Sequence, residues 1–123
     1  MSSLYLCELF GHFVYSQDLS YHDLLKREAG LLEALEGVLR GRDAAHIDFT
    51  PSGDVLRMQC MFPKPDEALF HAICEEIAPL LGEDIEGRLL FVDKNLSHAG
   101  FYCLAGSAWK ETPLSFPKVF TEV

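Results

Sequence analysis

The sequence predicts a single α+β domain whose elements run strand, helix, strand, strand, helix, strand, with one extra strand after them. Three observations predict it. Apolar residues alternate with a period of two over Leu4 to Tyr15, they recur at helical spacing in two later segments, and a pair of alternating runs flanks a turn between those segments. At 123 residues and 49% hydrophobic, such a chain buries about two-thirds of its unfolded surface, enough for a core without metal or disulfide staples. No linker, repeat or low-complexity tract divides it, so residues 1–123 read as one domain.

The first strand, Leu4 to Tyr15, has one wholly apolar face (Tyr5, Cys7, Leu9, Gly11, Phe13, Tyr15) and one mixed face, with a bend or bulge expected at Gly11. Ser20 reads as a helix N-cap, with Asp23 as the capping-box partner, and the helix runs to about Arg40 with Gly41 near its end. His46 to Phe49 and Val55 to Phe62 form a hairpin around the loop Thr50-Pro51-Ser52-Gly53-Asp54. Pro65 and Asp66 open a second helix, whose stripe is Leu69, Phe70, Ile73, Ile77, Leu80 and Leu81. Pro79 should kink or shorten its last turn, and Gly82 should stop it. Arg88 to Asp93 and Phe101 to Ala105 are the remaining strands, joined by the polar loop Lys94 to Gly100.

This order resembles the split βαβ, ferredoxin-like arrangement, an antiparallel sheet with both helices on one face. From Trp109 to Val123 the sequence reads as an extended tail, with Pro113 and Pro117 among Leu114, Phe116, Val119 and Phe120, packed on the sheet or on a partner subunit.

If the helices cover one face, alternation assigns the other. Ile47, Phe49, Leu56, Met58, Cys60 and Phe62 then face the core, and His46, Asp48, Arg57 and Gln59 the open side. The first strand adds Glu8 and His12 there, among Leu4, Leu6, Phe10 and Val14. Carboxylates, imidazoles and a guanidinium converging among apolar groups suit a polar ligand or proton transfer, although an alternating strand also shows polar residues outward for solubility alone. The aliphatic content of this face calls for a cover, and a second copy of the chain is the expected one. In length and element order the chain is similar to small proteins that pair such sheets into a dimeric α+β barrel around a ligand cavity.

Two further features stand out. Glu28 falls in the middle of the apolar arc of the first helix, formed by Leu24, Leu25, Leu31, Leu32, Leu35, Val38 and Leu39. It is a candidate buried acid, to be paired with an arginine or turned to the helix edge. Gly30, Ala34 and Gly37 share another flank, explained by close packing or by a loosely tolerated surface.

The formal charge is -9, and seven acids with no Lys or Arg lie between Asp66 and Glu86. This excludes nucleic acid and anionic membrane surfaces as partners. Asp66 and Glu67 suit a helix N-terminus. Glu75, Glu76, Glu83, Asp84 and Glu86 are left as a solvated face or as a surface that captures a basic protein, a use that resembles small acidic nuclease inhibitors and immunity proteins in size and charge.

No phosphate-binding glycine loop, nucleophile elbow or paired metal-ligand motif occurs. Cys7, Cys60, Cys74 and Cys103 are unpaired in spacing and His46-Ile47-Asp48 is a lone H-x-D, so neither a cofactor nor a metal is expected. Isolated cysteines in apolar runs, and an N-terminus with no basic n-region, point to a reducing cytoplasmic setting. Three functions follow. The leading expectation is a non-catalytic protein-binding module acting through the acidic helix. The alternative is a dimeric small-molecule-binding protein or enzyme using the open sheet face, and a third reading is an assembly subunit.

Overall fold

A computed structural model describes residues 5–95 and 99–113. Its elements in chain order are β1 (Cys7–Tyr15), α1 (Tyr21–Gly41), β2 (Ala45–Ser52), β3 (Val55–Phe62), α2 (Glu67–Leu81), β4 (Ile85–Asp93), β5 (Ala99–Ala105) and β6 (Ala108–Thr112). All pair antiparallel in one sheet of order β2-β3-β1-β4-β5-β6. The first four strands have the ferredoxin-like order, with β5 and β6 added beside β4. The chain is thus α+β, with both helices on one face of the sheet.

The caps form as the sequence dictates. Ser20 accepts the amide of Asp23, and the Asp66 side chain accepts that of Ala68. Gly82, at φ 59°, terminates α2. Pro79 lies inside α2, which nevertheless continues to Leu81, with no basic residue in its last turn. Arg27 of α1 supplies the missing donors. Its Nη2 donates to the carbonyls of Leu80 (2.6 Å) and Leu81 (3.0 Å), and its Nε donates to Asp84 (2.9 Å). One guanidinium therefore caps α2 and ties both helices to the start of β4.

Leu9, Phe13, Leu56, Phe62, Leu89 and Phe91 of the sheet meet Leu31, Leu35, Leu39, Phe70, Ile73 and Ile77 of the helices in one core. At its centre the Phe70 and Phe91 rings stack at 4.1 Å. The arc of α1 is narrower than expected. Leu24, Glu28, Leu31, Leu35 and Leu39 are buried, while Leu25 is 46% exposed because it lies one flank away from the sheet.

Three expectations are corrected, and one pair of alternatives is decided. No bulge occurs at Gly11, since the pairing of β1 with β3 and β4 runs unbroken through it. A Cβ at that position would instead meet Met58 Cε at 2.8 Å and Phe13 Cε2 at 3.2 Å, so a side chain there would make these neighbours shift. The bulge lies in β2, between Ala45 and Asp48, where His46 takes φ 55°. The hairpin loop shrinks to Gly53-Asp54, because strand pairing continues through Pro51 and Ser52. Part of the supposed tail is strand: Gly106 (φ 58°) and Ser107 (φ 63°) form a tight turn that folds β6 back onto β5. Gly30 and Gly37 are both exposed, and a Cβ on either would touch nothing within 4 Å, so close packing does not explain them. Leu4, the middle of the Lys94–Gly100 loop and the tail beyond Pro113 lie outside the described residues.

Candidate functional site

Strand register decides which polar side chains meet on the face opposite the helices. Thr50 of β2, Arg57 of β3 and His12 of β1 are successive cross-strand partners, and Arg88 of β4 follows on the other side of His12. One step along, Asp48, Gln59, Phe10 and Leu90 form the next row. The third row pairs Met61 with Glu8 and Glu8 with Val92.

The twisted sheet hollows above these rows. A cavity of about 270 Å³ is lined by Phe10, Gly11, His12, Asp48, Thr50, Arg57, Met58 and Gln59. A second, of about 160 Å³, is lined by Glu8, Phe10, His46, Gln59, Cys60 and Met61. Phe10 and Gln59 line both. The six ligand-binding candidates from the sequence therefore line two adjoining hollows: His12, Asp48, Arg57 and Gln59 in the larger, Glu8, His46 and Gln59 in the smaller. The β2 bulge leaves His46 exposed, with its ring 5.7 Å from that of Tyr5. Among the described residues none of the six bonds to another through its side chain, so their donors and acceptors stay available to a ligand. Leu6 and Phe10 on the same face are 41% and 39% exposed.

Sequence reasoning missed Arg88 and Lys110. Arg88 opens the run read as the fourth strand, and only its register reveals His12 beside it. Lys110 was assigned to the tail, although Gly106-Ser107 is a two-residue hairpin signal that could have placed it.

Glu28 is buried, at 7% exposure, and its partner is not an arginine. The Tyr15 hydroxyl donates to its Oε2 at 2.8 Å. Burial, and then this bond to a carboxylate, push the Tyr15 phenol well above its usual value of 10. The pair lies inside the fold, on the helix side, away from the hollows.

A third cluster joins α2 to β6. His71 Nε2 lies 3.6 Å from Glu67 Oε1 and 3.5 Å from Glu111 Oε1, with no hydrogen-bond partner. The three donor atoms fall within 4.8 Å of one another, which is the donor set a divalent cation would need. The two glutamates are exposed, and exposed acidic groups commonly sit together without an ion.

The acidic segment is largely committed within the chain. Glu75 accepts from Trp109 Nε1 at 2.6 Å, Glu76 pairs with Arg42, and Asp84 pairs with Arg27. Glu83 and Glu86 line a separate hollow with Val14 and Ser16.

No family model matches the sequence, and no curated protein matches it. Among solved structures, the catalytic core of a rhodopsin–guanylyl cyclase with converted specificity, in complex with ATPalphaS, is 13% identical with a TM-score of 0.49; the match covers 89% of this chain and 66% of that one. A non-canonical dimeric guanylyl cyclase domain from the aquatic fungus Blastocladiella emersonii is 14% identical with a TM-score of 0.49, covering 89% and 68%. An adenylyl cyclase from P. aeruginosa is 12% identical with a TM-score of 0.42, covering 89% and 66%. The chain thus spans about two-thirds of the length of the structures it matches, and the likeness is one of fold.

These findings correct the leading expectation. Three of the five acids meant to capture a partner, Glu75, Glu76 and Asp84, are bonded inside the molecule instead. Among the described residues no helix is long and apolar enough to cross a membrane.

Proposed function

We propose that the protein binds a small molecule on the open face of its sheet, enclosed when a second copy pairs its own open face against it. One observation carries this reading: the polar side chains of β1, β2 and β3 meet around two adjoining hollows beside exposed Leu6 and Phe10. A site that mixes a few converging polar groups with apolar walls is how small-molecule pockets are built. In it Glu8 and Asp48 accept hydrogen bonds, Gln59 both donates and accepts, Arg57 supplies a fixed fork of donors, and His12 and His46 give or take a proton. Face-to-face pairing covers the apolar side chains and deepens both hollows. The buried free thiols of Cys7, Cys60 and Cys74 suit a reducing compartment, the cytoplasm.

Native mass spectrometry of the untagged protein tests this directly. The expected result is a dimer carrying an additional small mass, lost in Asp48→Asn with His12→Ala, and a monomer for Phe10→Asp. A wild-type monomer with no added mass, unchanged by Phe10→Asp, would sink the reading.

A further inference from the structure

The chain has five arginines, and the fold divides them. On the helical side Arg27 holds Asp84, Arg40 holds Glu36 and Arg42 holds Glu76. On the open face Arg57 and Arg88 hold no carboxylate among the described residues, although Glu8, Asp48 and Glu86 share that face. Register places both guanidinium-bearing residues on either side of His12, and carries the row on through Cys103 to Lys110. A protein of net charge -9 thus aligns three cations, Arg57, Arg88 and Lys110, across one surface with no ion pair among the described residues.

From this we infer that the ligand of the open face is an amphiphilic organic anion, an inference that rests on the small-molecule reading above. Adjacent strands are about 4.8 Å apart, so the Arg57 and Arg88 backbones stand about 10 Å apart with His12 between them. Two side chains of that length can reach one anion placed above the imidazole. Their planar forks match the oxygens of a phosphate or carboxylate, which are bound in bidentate fashion. Two residues along the strands, about 7 Å away, lies an apolar row. Phe10 pairs with Leu90, and Leu90 with Phe101. Phe10 is 39% exposed, while Leu90 and Phe101 are half-buried. The two rows ask for an oxyanion head joined to an apolar body of matching reach. The surrounding acids repel every anion, and only one with such a body gains the compensating apolar contact, so the apolar row contributes selectivity as well as contact.

Titration of isotope-labelled protein, followed by amide chemical shifts, tests this with three probes: phenyl phosphate, 4-phenylbutyrate and neutral 4-phenylbutanol. The expected result is saturable shifts at β1, β3 and β4 for the anions, with the alcohol at least about tenfold weaker. Arg57→Gln and Arg88→Gln should each weaken anion binding about tenfold to a hundredfold, while Arg40→Gln, a paired cation on α1, leaves it unchanged. Tighter binding of phenyl phosphate supports a phosphate head, and tighter binding of phenylbutyrate a carboxylate one. Equal binding of the alcohol, insensitive to both arginine replacements, overturns the anion inference and leaves the small-molecule reading standing. Absence of shifts with every probe also overturns it, and a monomeric native mass in addition removes the small-molecule reading too.

Discussion

The helix-covered and open faces of the sheet are made by the same six strands, yet they treat polar groups in opposite ways. On the covered face Leu9, Phe13, Leu56, Phe62, Leu89 and Phe91 are fully buried, and the one carboxylate of α1 that enters the core is met by a tyrosine hydroxyl. Every arginine on that side has a carboxylate. On the open face the arginines have none, two large apolar side chains stand in solvent, and a bulge holds His46 at a positive φ. Unpaired charge and exposed aromatic surface cost little in a site that awaits a ligand or a subunit. Inside a core they would cost several kcal/mol each. The difference separates the face that builds the core from the face whose polar groups are left open.

The largest way to sharpen this contrast is to truncate one aromatic on each face. Phe91→Ala should cost about 3–5 kcal/mol in urea unfolding, because the residue is fully buried and stacked on Phe70. Phe10→Ala, on the other face, should cost under about 1 kcal/mol in the monomer and should weaken dimerisation instead. Equal losses of monomer stability would erase the distinction between the faces.

Alkaline pH probes the covered side alone. Burial raises the thiol of Cys7 from 9.0 to about 11, and those of Cys60 and Cys74 from 9.0 to about 12. Between pH 9 and 11 the unfolded chain loses these protons while the folded chain keeps them. The folded state then binds more protons, so stability is intact below pH 9 and falls as pH rises, by roughly 1 kcal/mol per thiol per pH unit. Urea midpoints measured at pH 8 and 10.5 should show the loss, and Cys60→Val should shrink it. A midpoint independent of pH over that range would contradict the burial of these thiols.

The smallest effect concerns an exposed flank of α1. Gly30→Ala and Gly37→Ala should each stabilise the protein by up to about 1 kcal/mol, since both positions are helical and open. A loss of stability would reveal a contact on this flank of α1.

Much of the fold was legible because it follows from local rules. Period-two alternation placed Glu8, His12, Asp48, Arg57 and Gln59 on one face, and Ser20, Asp66 and Gly82 announced the helix ends. What failed was mostly non-local, the turn at Gly106-Ser107 that makes β6 being the local exception. Gly11 looked like a bulge, but it is regular strand, and what a Cβ there would meet is the Met58 side chain on another strand. The acids from Glu75 to Asp84 looked free, because Trp109, Arg42 and Arg27 reach them from distant parts of the chain. Glu28 was expected to meet an arginine or to turn to the helix edge, while the side chain that meets it, Tyr15, lies on β1.

By itself, then, the sequence determined the element order as far as β5, the apolar faces and the caps, since these depend on residues a few positions apart and on backbone sterics. Only the tertiary structure decided which charges are paired and which stand free. Pairing depends on register between strands and on the docking of helices, and a shift of one residue would turn every one of those side chains to the opposite face.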